Sequence, residues 1–300
     1  MKKNRFLKRI RNYLLYWFVL LVTMAARVLP RRLMLSIMGL LGTGAYYLLS
    51  KPRKKTIENL EIAFPELRHE ERRAIAKGVF RDIGRNLVDI LRLPFMSASE
   101  LDKIVRVRGK EVLDDVLSRR KGVVVVTGHI GSWELLASYF SRKGYRVNAL
   151  MRTLYDPRLD SLLARIRESA GIVQIPRDGA LGKIFRALKR GEIVGFLLDQ
   201  DTKVEGTFVE FMGKEAYTPV GAVRVAMRSG APIIPAAIRL DADGKHVIEI
   251  GRELDLTFSG DYAEDIKMNT QKCTSSLEAF IRATPTQWVW MHERWKTRPA

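Results

Sequence analysis

Residues 123–140 read VVVVTGHIGSWELLASYF. Four consecutive β-branched residues make a buried strand. Thr127-Gly128 breaks the run, and from about Ser132 the apolar spacing changes to the helical period. The same strand-then-helix alternation continues downstream. Strands are expected over YRVNALM (145–151), IVQI (172–175), EIVGFLLD (192–199), TFVEF (207–211), APIIPAAIRL (231–240) and KHVIEIG (245–251). Helices are expected over 133–144, 157–171, 179–191, 219–230 and 262–283, and upstream over 69–93 and 109–122. Most of these helices close on glycine, as helix ends commonly do. Strands interleaved with 10–15-residue helices predict an α/β fold, a central mostly parallel sheet with helices on both faces.

The 300 residues carry a net charge of +19, and its distribution says more than its size. Residues 1–55 hold thirteen Lys or Arg and no Asp or Glu, and the other 245 residues carry only +6. A nucleic-acid partner is not expected, because such a protein spreads basic residues along a folded face. Here they flank the apolar runs YLLYWFVLLVTMAA (13–26) and LMLSIMGLLGTGAYYLL (33–49). Basic flanks around apolar helical stretches suit an anionic membrane surface. Residues 1–55 are therefore read as membrane-attaching helices, and residues 56–300 as the α/β domain. Both runs are shorter than the roughly 20 residues of a confident span. One shallow or spanning helix followed by an interfacial one is expected. GLLGTG lacks the strand before it and the Lys-Ser/Thr after it that a phosphate loop needs, so close helix packing explains it better. The single cysteine, Cys273, excludes an internal disulfide and reads as a small buried residue.

His129 lies two residues past the first valine strand, where ligands of open α/β sheets bind. Glu134 follows five positions later. In a continuous helix the two would sit about 140° apart. They meet only if His129 occupies the turn before the helix, which Gly128 and Gly131 permit. Glu134 would then accept one imidazole N–H, fix the tautomer and raise the basicity of the other nitrogen. Backbone N–H groups at Gly131, Ser132 and Trp133 would face the same space as oxyanion donors. A purely structural polar pair stays open on these residues alone. Serine hydrolysis is disfavoured, because GHIGS is not G-x-S-x-G. No metal is expected, since the four histidines are scattered and His292-Glu293 lacks the second histidine of H-E-x-x-H.

GHIGSWE has the His-x4-acid spacing of the glycerolipid acyltransferase superfamily. The rest of the chain resembles, more narrowly, the late acyltransferases of lipid A biosynthesis, the lauroyl/myristoyl transferase family of Gram-negative bacteria. The segments that carry the resemblance are NLEIAFPELRHEER (59–72), MRTLYDPRLD (151–160), 175–201, 206–236 and QWVWMHERWKTRP (287–299). Met151 and Asp156 depart from the family pattern. The resemblance implies transfer of a fatty acyl group from a thioester, on acyl carrier protein or acyl-CoA, to a hydroxyl of a lipid A precursor. His129 would be the general base and Glu134 its partner, and no cofactor is implied. It also implies a membrane lipid acceptor and a place at the cytoplasmic face of the bacterial inner membrane. An ornithine-type or amino lipid, or a lysophospholipid, is the alternative acceptor. A lipid-binding protein that keeps the fold without the chemistry is a further alternative.

Arg152 and Arg177 follow the next two strands and suit substrate phosphates. Asp199, Gln200 and Asp201 end another central strand and are expected to form the substrate site, with capping and turn formation also open. Gly213 and Pro235 read as backbone-shape positions. The tail WVWMHERWK (288–296) reads either as an interfacial belt or as a packed core cap.

Overall fold

The computed structural model describes residues 2–151, 156–177 and 179–299, with side chains from residue 12 onward. The chain starts with four helices, α1 (Lys2–Val28), α2 (Arg31–Leu48), α3 (Ser50–Ala63) and α4 (His69–Arg92). A short helix α5 (Ala98–Ile104) leads into the edge strand β1 (Val105–Arg108) and α6 (Lys110–Ser118). The predicted alternation follows: β2 (Val123–Thr127), α7 (Trp133–Arg142), β3 (Val147–Met151), α8 (Pro157–Ser169), β4 (Val173–Pro176), α9 (Ala180–Lys189) and β5 (Ile193–Leu197). A hairpin of β6 (Gly206–Phe211) and β7 (Lys214–Pro219) precedes α10 (Gly221–Ser229). Strands β8 (Ile233–Leu240) and β9 (His246–Ile250) and the long helix α11 (Tyr262–Ala283) complete the order.

Seven strands form one sheet in the order β1-β9-β8-β2-β5-β3-β4. β8, β2, β5, β3 and β4 run parallel to one another, while β9 runs antiparallel to β8 and parallel to β1. The α/β expectation therefore holds. The valine run became the centre of the sheet because a strand buried on both faces needs apolar side chains on both. Val123 belongs to a core that includes residues of α4, α7 and α8, and Val124 and Val126 belong to one on the other face that includes residues of α9, α10 and α11. Several elements were not expected: α3, α5, β1 and β7. β1 reads VRVR and β7 KEAYTP, too short and polar to register as apolar runs. Gly213 lies at positive φ in the β6–β7 turn, as a backbone-shape position should. Cys273 is fully buried, and burial pushes its thiol up to about 12, so it is an inert core residue.

α2 lies against α4 at backbone distance. A Cβ on Gly42 would come within 2.2 Å of the Phe80 carbonyl oxygen, and one on Gly84 equally close to that of Met38. Small residues permit this approach, so GLLGTG serves helix packing, as its sequence context suggested. An ion pair fastens the start of α2. Arg31 grips Asp89 of α4 through two bonds of 2.8 and 2.7 Å, and His246 Nε2 reaches the same carboxylate at 2.7 Å. Burial opposes the charge on Asp89, but His246 and Arg31 outweigh it and hold the carboxyl down at about 2. α3 runs without a break through Lys51–Lys55.

α1 buries Val22 and Ala26 but leaves Leu14, Leu21 and Met24 each more than 60% exposed. Among the described residues no single helix is long and apolar enough to cross a membrane. α2 with α3 reaches that length only as a pair bent by 90°.

Candidate active site

His129 occupies the turn between β2 and α7, at the carboxyl edge of the sheet. Two glycines shape that turn. Gly131 has φ +55°, and a Cβ there would lie 2.1 Å from the Ile238 carbonyl oxygen of β8. A Cβ on Gly128 would press at 3.1 Å against the Asp199 carboxyl group. The GHIG sequence thus lets the loop lie between β8 and the end of β5.

The partner of the imidazole is Asp199, not Glu134. His129 Nδ1 lies 2.8 Å from Asp199 Oδ1. The carboxylate can only accept, so Nδ1 carries a proton, and in the neutral ring Nε2 is the bare nitrogen. Asp199 Oδ2 accepts the His129 main-chain N–H and the Trp288 indole N–H, each at 2.7 Å. Burial disfavours charge on Asp199, but the His129 charge and these bonds win, and its carboxyl is held well below the usual carboxylate range. Burial likewise disfavours charge on the ring, but Asp199, with a smaller contribution from Glu134, raises the His129 pKa above its ordinary 6.5. The Trp133 ring meets the imidazole edge-on at 4.9 Å.

Glu134 lies in the first turn of α7 and is 7% exposed. Both its oxygens pair with Arg167 of α8, the Nε bond measuring 2.7 Å and the second bond joining Arg167 Nη2 to Glu134 Oε1. The pair is largely buried, so the Glu134 carboxylate is committed there. Of the three expected oxyanion donors, Gly131 is occupied elsewhere. The Gly131 N–H donates to the Gln287 carbonyl at 2.7 Å, and Ser132 is fully buried. Trp133, the third of the expected donors, and Glu134, which was not among them, begin α7 with N–H groups that meet no acceptor among the described residues, and both residues line the cavity.

That cavity measures about 830 Å³ and is mostly apolar. His129 stands on its wall with Trp133, Leu136, Ala137 and Phe140 of α7 and Val125 of β2. Arg177 lines it too and donates to Thr202 Oγ1 at 3.2 Å. Gln200 lines it, whereas Asp201 does not. Asp201 holds the C-terminal segment, accepting the Thr297 N–H at 2.9 Å with the Lys296 ammonium nearby. Arg152 lies outside the described residues. Arg224 and Arg228 of α10 also line the cavity and were not anticipated.

The C-terminal tail clamps the histidine loop. Ile130 and Trp288 form a β-bridge, and the Val289 N–H donates to the His129 carbonyl at 3.2 Å. Trp288 and Trp290 are fully buried, so the tail is a core cap rather than an interfacial belt. Arg294 is also fully buried. It donates to the Tyr217 carbonyl and Thr218 Oγ1 at 2.7 and 2.6 Å and lies 4.8 Å over the Phe211 ring. Burial pushes its guanidinium down to about 10 and the neighbouring His292 down to about 4. Asp199, Arg167 and Trp288 therefore complete the site from three distant segments.

The family described as bacterial lipid A biosynthesis acyltransferase matches residues 1–297. The chain belongs to that family. Among this acyltransferase's relatives, the lipid A biosynthesis palmitoleoyltransferase of Escherichia coli K12 is 30% identical over 298 residues, covering 96% of this chain and 93% of its own. The lipid A biosynthesis lauroyltransferase of the same organism is 28% identical, covering 86% and 84%. A phosphatidylinositol mannoside acyltransferase of Mycobacterium tuberculosis is 26% identical, covering 71% and 67%. Among solved structures, the 1-acyl-sn-glycerophosphate acyltransferase of Thermotoga maritima matches with a TM-score of 0.35 and 16% identity, covering 82% of this chain and 98% of that one.

Proposed function

We propose that this lipid A acyltransferase moves a fatty acyl group from a thioester, carried by acyl carrier protein, to a hydroxyl of a phosphorylated lipid A precursor, with His129 as general base. The observation that carries this reading is the His129–Asp199 bond on the wall of a large apolar cavity. Asp199 fixes the tautomer that leaves Nε2 bare, and a bare nitrogen there can take a proton from an alcohol. The deprotonating oxygen attacks the thioester carbonyl. Negative charge develops on the carbonyl oxygen, and the N–H groups of Trp133 and Glu134 at the start of α7 are placed to receive it. Collapse of the tetrahedral species forms the ester and expels the thiolate, which takes the proton back from Nε2. No covalent acyl-enzyme is needed. Glu134 and Arg167 hold α7 against α8, and the Glu134 charge alone of the two helps raise the ring's pKa.

Arg177, which lines the cavity, and Arg152, known from the sequence alone, suit the phosphates of the acceptor or of the donor's pantetheine arm. The exposed apolar face of α1 and its basic flanks favour attachment to the cytoplasmic face of the bacterial inner membrane. Arg158 of α8 lies over the rings of Tyr13 and Tyr16 at 5.3 and 5.1 Å, which sets α1 beside the α8 wall of the cavity. The test is transfer from acyl carrier protein thioester to a phosphorylated glycolipid by purified protein. Wild type should acylate the acceptor and His129→Ala should not; equal transfer by both would refute the assignment.

A further inference from the structure

A glycine in the interior of a central strand weakens the strand, so it needs a reason. Gly195 sits mid-strand in β5, paired with Val125 of β2 on one side and Ala149 of β3 on the other. Its backbone does not require glycine, because its φ is not positive. Nor does crowding, since a Cβ there would meet nothing nearer than the Asn148 carbonyl oxygen at 3.7 Å. Space is what remains. Val125, Gly195 and Ala149 are all only partly buried, although they lie at the centre of a seven-stranded sheet beneath a helix. All three line the cavity, opposite Ala137 and Phe140 of α7.

We propose that Gly195 sets the length of the acyl chain this enzyme accepts, by leaving the hollow between the sheet and α7 open at mid-depth. The inference rests on the proposed acyl transfer. The row at Gly195 lies level with Val125, two residues before the end of β2 and four before His129 in the turn that follows, which puts it at most about 13 Å from the His129 backbone at ~3.3 Å per strand residue. Ile193 and Val147 line the cavity two residues deeper, about 20 Å from the reacting end. An extended alkyl chain advances about 1.3 Å per carbon, given bonds of ~1.5 Å. The row is therefore reached by about the tenth carbon, and the deeper end by about the fifteenth. A side chain at position 195 would project into the path of the carbons beyond about ten.

The experiment compares kcat/KM for decanoyl, dodecanoyl, tetradecanoyl and hexadecanoyl carrier-protein thioesters with a phosphorylated glycolipid acceptor. Wild type should favour the 12–16-carbon donors. Each methylene that loses its burial weakens binding roughly four-fold, so Gly195→Leu should lower the tetradecanoyl-to-decanoyl ratio on the order of 100-fold. Gly195→Ala should shift it less and in the same direction. Ala149→Leu, which fills the same row from β3, should reproduce the effect if Gly195→Leu folds poorly. Unchanged length ratios in Gly195→Ala and Ala149→Leu, with wild type active, would overturn the inference. Equal loss at every length in folded variants would overturn it too. A wild-type enzyme that acylates no glycolipid with any donor would instead defeat the proposed function.

Discussion

Replacing Asp199 by asparagine keeps the size of the side chain and removes its charge and one acceptor. The native carboxylate accepts three N–H groups: the His129 ring at 2.8 Å, and the His129 main chain and the Trp288 indole at 2.7 Å each. An amide has one oxygen. If that oxygen keeps the two donors at the Oδ2 position, the amide NH2 faces His129 Nδ1. The ring must then accept there and carry its proton on Nε2, the nitrogen that should be the base. Losing a positioned base lowers kcat by about 10²–10⁴, which is roughly 3–5 kcal/mol on the barrier. KM for the thioester should change little, because Asp199 is 1% exposed and does not line the cavity.

The pH profile separates this account from simple unfolding. Imidazole works as a base only when neutral, so activity rises with pH through the ring's pKa. Burial alone would lower that pKa, but Asp199 and Glu134 raise it, and the wild-type acidic limb should lie above pH 6.5. In Asp199→Asn the burial persists while the main counter-charge is gone. The residual activity should therefore rise at lower pH than in wild type. The measurement is kcat against pH in the carrier-protein assay, with far-UV dichroism to verify folding. A folded variant with near-wild-type kcat and an unmoved limb, alongside a Glu134→Gln enzyme whose limb does move, would return the imidazole to Glu134 and refute the reasoning.

Glu134→Gln should act mainly on stability. It strands the largely buried Arg167 guanidinium without a counter-charge, at about 3–5 kcal/mol. Urea denaturation should show that loss, and Glu134→Gln with Arg167→Met should recover part of it. Gly131→Ala forces a side chain into positive φ and against the Ile238 carbonyl. The strain alone is about 1–3 kcal/mol, visible as a lowered Tm. Leu21→Glu with Met24→Glu places two carboxylates on the exposed face of α1. Co-sedimentation with anionic phospholipid vesicles should fall sharply relative to wild type.

Most of the sheet was legible because its central strands are buried on both faces and so carry uninterrupted apolar runs. What failed lay at the margins. β1 pairs only along one edge and β7 only with its hairpin partner, so polar residues suffice in both. The position of His129 was legible for a similar reason. Any residue just beyond a parallel strand reaches the carboxyl edge, whatever surrounds it.

Its partner was a different kind of problem. Asp199 stands 70 residues away in sequence, and it meets His129 only because β5 lies beside β2 with β3 and β4 placed outside it. No local pattern encodes that order. The nearer carboxylate, Glu134, offered itself by spacing alone, yet in the first turn of α7 it faces α8 and is taken by Arg167. The His-x4-Glu spacing thus serves two ion pairs, His129–Asp199 and Glu134–Arg167; in the proposed mechanism the first holds the base in its working tautomer and the second fixes the helix whose first N–H groups receive the oxyanion. Losses of activity after changes at Glu134 then report on the seating of α7 as much as on the proton transfer. Only the pH limb distinguishes them, because a helix that shifts alters the rate at every pH, whereas a lost counter-charge moves the pH at which the rate rises.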